Sequence, residues 1–88
     1  MQIVEVLCSR AVSHKLWDKH QVDLFEVDEV LGGDPYVRRG REGLHYVLGQ
    51  TSSGRYLFVV IRYLGRGSAR LVTARDMDPS ERRAFRNR

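Results

Sequence analysis

The chain has 88 residues, 42% of them hydrophobic and 30% charged, and a formal net charge of +4. That balance predicts one folded domain spanning residues 1–88 and excludes an extended disordered chain. The one cysteine, Cys8, excludes an internal disulfide and a cysteine-rich metal site, and fits a reducing, cytoplasmic setting.

Ile3 to Leu7 is a short apolar run interrupted by Glu5, the pattern of an edge strand. These first residues lack the basic-then-apolar order of a signal peptide. Ser13 has the chemistry of an N-cap for a helix over His14 to His20, with Trp17 as its apolar anchor in the core. Asp23 and Glu26 form a capping box, followed by Leu24, Val27, Val30 and Leu31 at helical spacing and by a Gly32-Gly33 stop. Asp34 to Gly43 reads as a loop carrying Arg38, Arg39 and Arg41. Leu44–Gln50, Arg55–Tyr63 and Ala69–Arg75 then read as an antiparallel meander, joined by turns at 51–54 and 65–67. The longest apolar run, Tyr56 to Ile61, is too short to cross a bilayer. Asp78, Pro79 and Glu81 open a terminal helix with a second capping box. The expected order is β-α-α-β-β-β-α, an α+β fold in which a small antiparallel sheet carries two N-terminal helices and one C-terminal helix.

Charge is distributed unevenly along this order. Residues 1–34 carry −4, residues 35–61 carry +3 and residues 62–88 carry +5. The basic residues of the second half are all arginine, whose planar fork matches phosphate better than the ammonium of lysine. A solvated basic surface would account for the excess. The coincidence of asymmetry and arginine bias favours a nucleic-acid contact, with RNA as the expected polyanion. Tyr36, beside the arginines, is placed either to stack on a base or to cover its own loop.

Several strings, taken jointly, resemble the BrnT toxins, a branch of the RelE-like ribonuclease toxins of bacterial type II toxin–antitoxin pairs. Lys19-His20-Gln21-Val22, the Asp23-to-Leu31 helix and Asp34-Pro35 are similar to that family's Lys-His-Gly-Val segment, helix and Asp-Pro. Thr73-Ala74-Arg75 resembles its Ser-Ala-Arg, and Glu81-Arg82-Arg83-Ala84-Phe85 its terminal Glu-Arg-Arg-x-Tyr helix. Leu48-Gly49 and the strand from Tyr56 to Ile61 fall where the family has comparable segments, so the likeness runs from about residue 14 to residue 86. The chain departs from the pattern at Leu16 (commonly Asn), at Glu42-Gly43-Leu44 (paired acids and Arg), at Thr73 (Ser) and at Phe85 (Tyr).

The resemblance implies a RelE-like fold and a metal-independent endoribonuclease that cleaves mRNA, with no cofactor. It also implies a cognate antitoxin bearing a ribbon-helix-helix DNA-binding domain, and a homodimer is compatible with it. Lys19, His20, Thr73 and Arg75 are the implied catalytic set. Such chemistry needs a proton acceptor, for which His20 has the most suitable ordinary pKa, and cations to hold the phosphate. Each residue also has a plainer use. His20 follows Leu16 by one turn and can pack at the helix end, and Lys19 suits the helix dipole. Arg75 can pair with Asp76 or Asp78. A regular strand would put Thr73 and Arg75 on one face with Ala69 and Leu71. Arg38, Arg39, Arg41, Arg62, Arg82 and Arg83 are the expected RNA-binding residues, while His14 and His45 read as structural or surface residues. The departures leave room for a catalytically inactive module that only holds RNA or a partner. A DNA-bound regulator is disfavoured, because no helix-turn-helix pattern is present.

Overall fold

A computed structural model describes residues 2–88. Five strands and three helices follow one another as β1 (Glu5–Leu7), α1 (Arg10–His20), α2 (Leu24–Gly32), β2 (Tyr36–Arg39), β3 (Leu44–Gln50), β4 (Tyr56–Gly65), β5 (Ser68–Asp76) and α3 (Pro79–Arg86). The strands form one sheet in the order β1-β5-β4-β3-β2. The α+β class holds, with two corrections to the expected architecture. The segment expected to be a loop contains the strand β2, paired antiparallel to β3 from Tyr36↔Leu48 to Arg39↔His45. The sheet is also mixed, because β1 lies parallel to β5 along Glu5↔Ser68 to Leu7↔Arg70.

Local chemistry accounts for the helix ends. α1 starts earlier than the sequence suggested: Ser9, not Ser13, caps it by accepting from the Val12 N–H at 3.1 Å. The Ser13 N–H is already inside the helix, bonded to the Ser9 carbonyl. The two expected capping boxes both form, at Asp23 with Glu26 and at Asp78 with Glu81. α1 stops where Gln21 enters the left-handed region at φ 51°. A side chain is disfavoured there, and the position is Gly in the resembling sequences. Gln21 compensates with its own amide, which donates to the Trp17 and Asp18 carbonyls at 3.2 Å each.

The sheet separates two apolar layers. On one face Leu16, Val22, Val27 and Val30 of the α1–α2 region pack on Val47, Leu57, Val59, Ile61, Ala69, Leu71 and Ala74. The helix α2 approaches β3 so closely that a Cβ at Gly49 would sit 2.7 Å from Val30 Cγ1. On the other face a smaller cluster of Leu48, Met77 and Phe85 fastens α3. Phe85 is the only buried residue of that arginine-rich helix, and burying such a side chain contributes roughly 1.5–3 kcal/mol. Trp17 does not serve the core: it is 57% exposed. Leu16, one position away, turns inward instead and is 1% exposed.

A candidate nucleic-acid interface

Strand register decides which residues share the face that carries α3. Tyr36 and Arg38 of β2 lie opposite Leu48 and Tyr46 of β3. Those in turn lie opposite Phe58 and Val60 of β4, and Leu44 lies opposite Arg62. Across the next seam Arg75 faces Phe58, Thr73 faces Val60 and Arg70 faces Arg62. Successive residues of a strand alternate faces, and directly paired residues share one. One face therefore carries Tyr36, Arg38, Tyr46, Phe58, Arg62, Arg70, Thr73 and Arg75.

The grouping of Thr73 with Arg75 was legible, but the expected company of Ala69 and Leu71 was wrong. Between Val60↔Thr73 and Ile61↔Leu71 the strand β5 has one residue more than β4. Val72 is that extra residue, a β-bulge that changes the parity of everything after it. Ala69 and Leu71 consequently join the buried layer under α1 and α2, while Thr73 and Arg75 turn to the opposite face.

Arg75 is the most constrained arginine of this face. Its guanidinium lies 4.3 Å from the Phe58 ring centroid. Nη1 and Nη2 each donate to Glu81 at 2.9 Å, and Nη1 also donates to the Asp76 carbonyl at 3.0 Å. The ion pair expected with Asp76 or Asp78 is therefore made with Glu81 instead. Hydrogen bonding to Glu81 raises the Arg75 pKa above its ordinary value against partial burial, so the side chain stays charged.

The other arginines are distributed unevenly. Arg38 lies 5.9 Å from the Tyr36 ring and Arg82 lies 4.6 Å from the Tyr56 ring. Arg62 donates to the Glu42 carbonyl at 2.6 Å and so ties down the β2–β3 turn while remaining exposed. Arg39 lies opposite His45 in the ladder and points to the face that carries α1 and α2, and Arg41 sits in the turn. Arg83 is exposed on α3. Arg38, Arg62, Arg75 and Arg82 thus share the α3 face with Tyr36, Tyr46, Tyr56 and Phe58, an arginine and aromatic surface of the kind that follows a phosphate backbone and stacks bases, while Arg39 lies on the other face.

Lys19 and His20 occupy the last turn of α1, against the opposite face of the sheet. Lys19 is exposed and His20 half-buried. The structure does not bring His20 into contact with Thr73 or Arg75. It brings the end of α1 to Asp76, the residue after Arg75, through Arg55, which no sequence motif singles out. Arg55 donates from Nη2 to the His20 carbonyl at 2.8 Å and from Nη1 to the Gln21 carbonyl at 2.7 Å. The same guanidinium pairs with Asp76 at 2.7 Å and with Glu26 at 3.0 Å. Helix carbonyls without intrahelical partners are met by a cation, as the helix dipole favours. Hydrogen bonding to Arg55 also holds the Asp76 carboxyl below its ordinary range.

Phe85 lies under α3, edge-on to Tyr56 at 6.0 Å. A tyrosine hydroxyl at that depth would need a partner, so apolar Phe suits the packing. Among the described residues no group of three or more His, Cys, Asp or Glu is placed to hold a metal ion.

No family model matches the chain, and no curated protein matches it significantly. Its fold is similar to the crystal structure of the Brucella abortus ribonuclease toxin BrnT, with a TM-score of 0.73 over 85% of this chain and 97% of that one. Sequence identity over the match is 12%, so the likeness is one of fold. The fold is BrnT-like.

Proposed function

We propose that this chain is a ribonuclease toxin of a type II toxin–antitoxin pair, and that it cleaves single-stranded mRNA without metal. The observation that carries the reading is the position of Arg75 and Thr73. They stand side by side, at the edge of an arginine and aromatic face, on a BrnT-like fold. A charged fork and a hydroxyl two residues apart on one strand can meet the same phosphate group.

In the proposed reaction a 2′-hydroxyl loses its proton to a base and its oxygen attacks the adjacent phosphorus. The bond from phosphorus to the 5′-oxygen breaks, leaving a cyclic phosphate and a 5′-hydroxyl that takes up a proton. Arg75 offsets charge on the non-bridging oxygens, where a preorganised donor is most effective. Thr73 donates to the same group. His20 and Lys19 act from the end of α1, His20 in proton transfer and Lys19 as a cation toward the backbone. Arg38, Arg41, Arg62, Arg82 and Arg83 track the flanking phosphates, whereas Arg39, on the other face of the sheet, lies off this path. A cognate antitoxin with a ribbon-helix-helix domain and a cytoplasmic setting belong to this reading.

A second reading is favoured by the separation of His20 from Arg75: the same face binds RNA and does not cut it. One experiment decides between them. Purified wild type and Arg75→Ala are incubated with single-stranded RNA in EDTA, with melting temperature measured in parallel. Cleavage by the wild type, reduced by the equivalent of about 2–4 kcal/mol in the variant, supports the toxin reading. Intact RNA at high protein concentration, with cleavage only after magnesium is added, sinks metal independence. Full activity in Arg75→Ala sinks the site.

A further inference from the structure

An arginine guanidinium has five N–H donors, and those of Arg75 are divided into two sets. Three are spent within the protein: one Nη1 hydrogen on the Asp76 carbonyl, and the end-on Nη1/Nη2 fork on the two oxygens of Glu81. The other two, on Nε and on the outer position of Nη2, lie parallel along one edge and form a second fork. Neither has a protein partner among the described residues. Among the described residues His45 Nδ1 is the only buried side-chain nitrogen or oxygen without a partner, so the unpaired Arg75 Nε is not sealed from solvent, and the side chain as a whole is 38% exposed. Phe58 supports one flat side of the guanidinium at 4.3 Å.

Glu81 is itself held. Its backbone N–H donates to Asp78 Oδ1 at 2.8 Å, and its Oε1 accepts from the Asp78 N–H at 2.9 Å. Its side chain is 15% exposed, against 38% for Arg75. The capping box of α3 thus fixes a carboxylate, the carboxylate fixes an arginine, and the arginine presents its unused edge.

We infer that Glu81 is a positioning residue, which aims the Nε/Nη2 fork of Arg75 at the phosphate undergoing transfer. The inference rests on the ribonuclease reading for its reaction and on the pairing above for its geometry. RNA engages Arg75 with the Glu81 pair intact, so the arginine arrives already oriented. Rotamer freedom that a loose arginine would lose in the transition state is lost beforehand, on folding.

The test compares Glu81→Gln with Ser9→Ala. Glu81→Gln keeps an oxygen for the Asp78 N–H and removes the charge that holds Arg75. Ser9→Ala removes the N-cap of α1, at the end of that helix away from His20, and leaves the Arg75–Glu81 pair. We expect kcat of Glu81→Gln to fall on the order of ten- to a hundredfold with KM little changed. Ser9→Ala should lower the melting temperature at least as much and keep most of kcat. Unchanged kcat in Glu81→Gln, a several-fold lower KM (Glu81 then competes with phosphate), or equal kcat losses in both variants would each overturn the inference.

A binding measurement separates this inference from the reaction it serves. With a 2′-O-methyl oligonucleotide, which cannot be cut, the Arg75 Nε–Hε resonance of the wild type should move on binding. In Glu81→Gln it should move less. If it moves so while the wild type cleaves no RNA, the ribonuclease reading fails and the positioning stands. If it stays still at saturation, the positioning fails.

Discussion

Replacing Arg55 with alanine should be the most destabilising single change to a charged residue in this chain. Its guanidinium closes four separate contacts: Asp76 at 2.7 Å, Glu26 at 3.0 Å, and the His20 and Gln21 carbonyls at 2.8 and 2.7 Å. The Asp76 pair counts for little, about 0–1 kcal/mol, because that carboxylate is 63% exposed. The Glu26 pair is better sheltered, at 25% and 21% exposure for its two side chains. It also joins α2 to the residue that leads into β4, so a charge-assisted bond there is worth roughly 1.5 kcal/mol or more. The two helix carbonyls can recover water, which limits their share to about 0.5 kcal/mol each. The total is about 2–4 kcal/mol. At roughly 4–8 °C per kcal/mol for a domain of this size, the melting temperature should fall by about 8–32 °C. Calorimetry at neutral pH measures it directly, and a fall of less than about 4 °C refutes the estimate. Acid gives a second check. The folded-state pKa of Asp76 is lowered from 3.8, so its pair with Arg55 contributes fully above that value and is lost as the pH falls through the folded-state pKa. The gap between wild type and Arg55→Ala should therefore narrow below pH 3.8 and stay level above it. A gap that widens in acid contradicts the assignment.

Gly49→Ala places a methyl 2.7 Å from Val30 Cγ1 between two tightly packed elements, and should cost about 1–3 kcal/mol in denaturant unfolding. Unaltered stability would mean that α2 rides freely on β3. RNA binding should weaken steeply with salt, with a log–log slope of about −0.7 per phosphate engaged, and a flat dependence returns the arginine excess to a solvated surface. Deleting Val72, the bulged residue, leaves Thr73 and Arg75 opposite Val60 and Phe58, so RNA affinity should survive. Deleting Ala74 reverses the face of Arg75 and should abolish it. Equal affinities for the two deletions would show that the bulge does not set the face.

The parts legible in the sequence are those written in neighbouring residues. Both capping boxes lie within four positions, and β3, β4 and β5 are apolar runs separated by turn-forming residues. The strand β2 escaped notice because it pairs on one side only and carries two arginines, the usual protection of a sheet edge. Its hairpin turns on Glu42-Gly43, at φ 57° and 78°, without the Asn or Asp that normally marks such a turn. The bulge at Val72 leaves no trace in a strand of ordinary composition. Arg55 was hidden for another reason: its partners lie 21 to 35 residues away, and no local pattern joins them. Of the candidate site, Thr73 and Arg75 on one face were readable, whereas Glu81 in contact with Arg75 required the helix α3 in place.

The parallel pairing of β1 with β5 also sets a timetable. Ser68 donates its hydroxyl to Glu5 across 63 intervening steps of chain, and at about 5–20 residues per second a ribosome takes roughly 3–13 s to supply them. Until then β1 has no strand beside it, while the residues of α1 and α2 are already in the chain. The fork of Arg75 comes later still, since Glu81 arrives with α3. The chain up to residue 78 thus holds every residue of the larger apolar layer but lacks the Glu81 that orients Arg75.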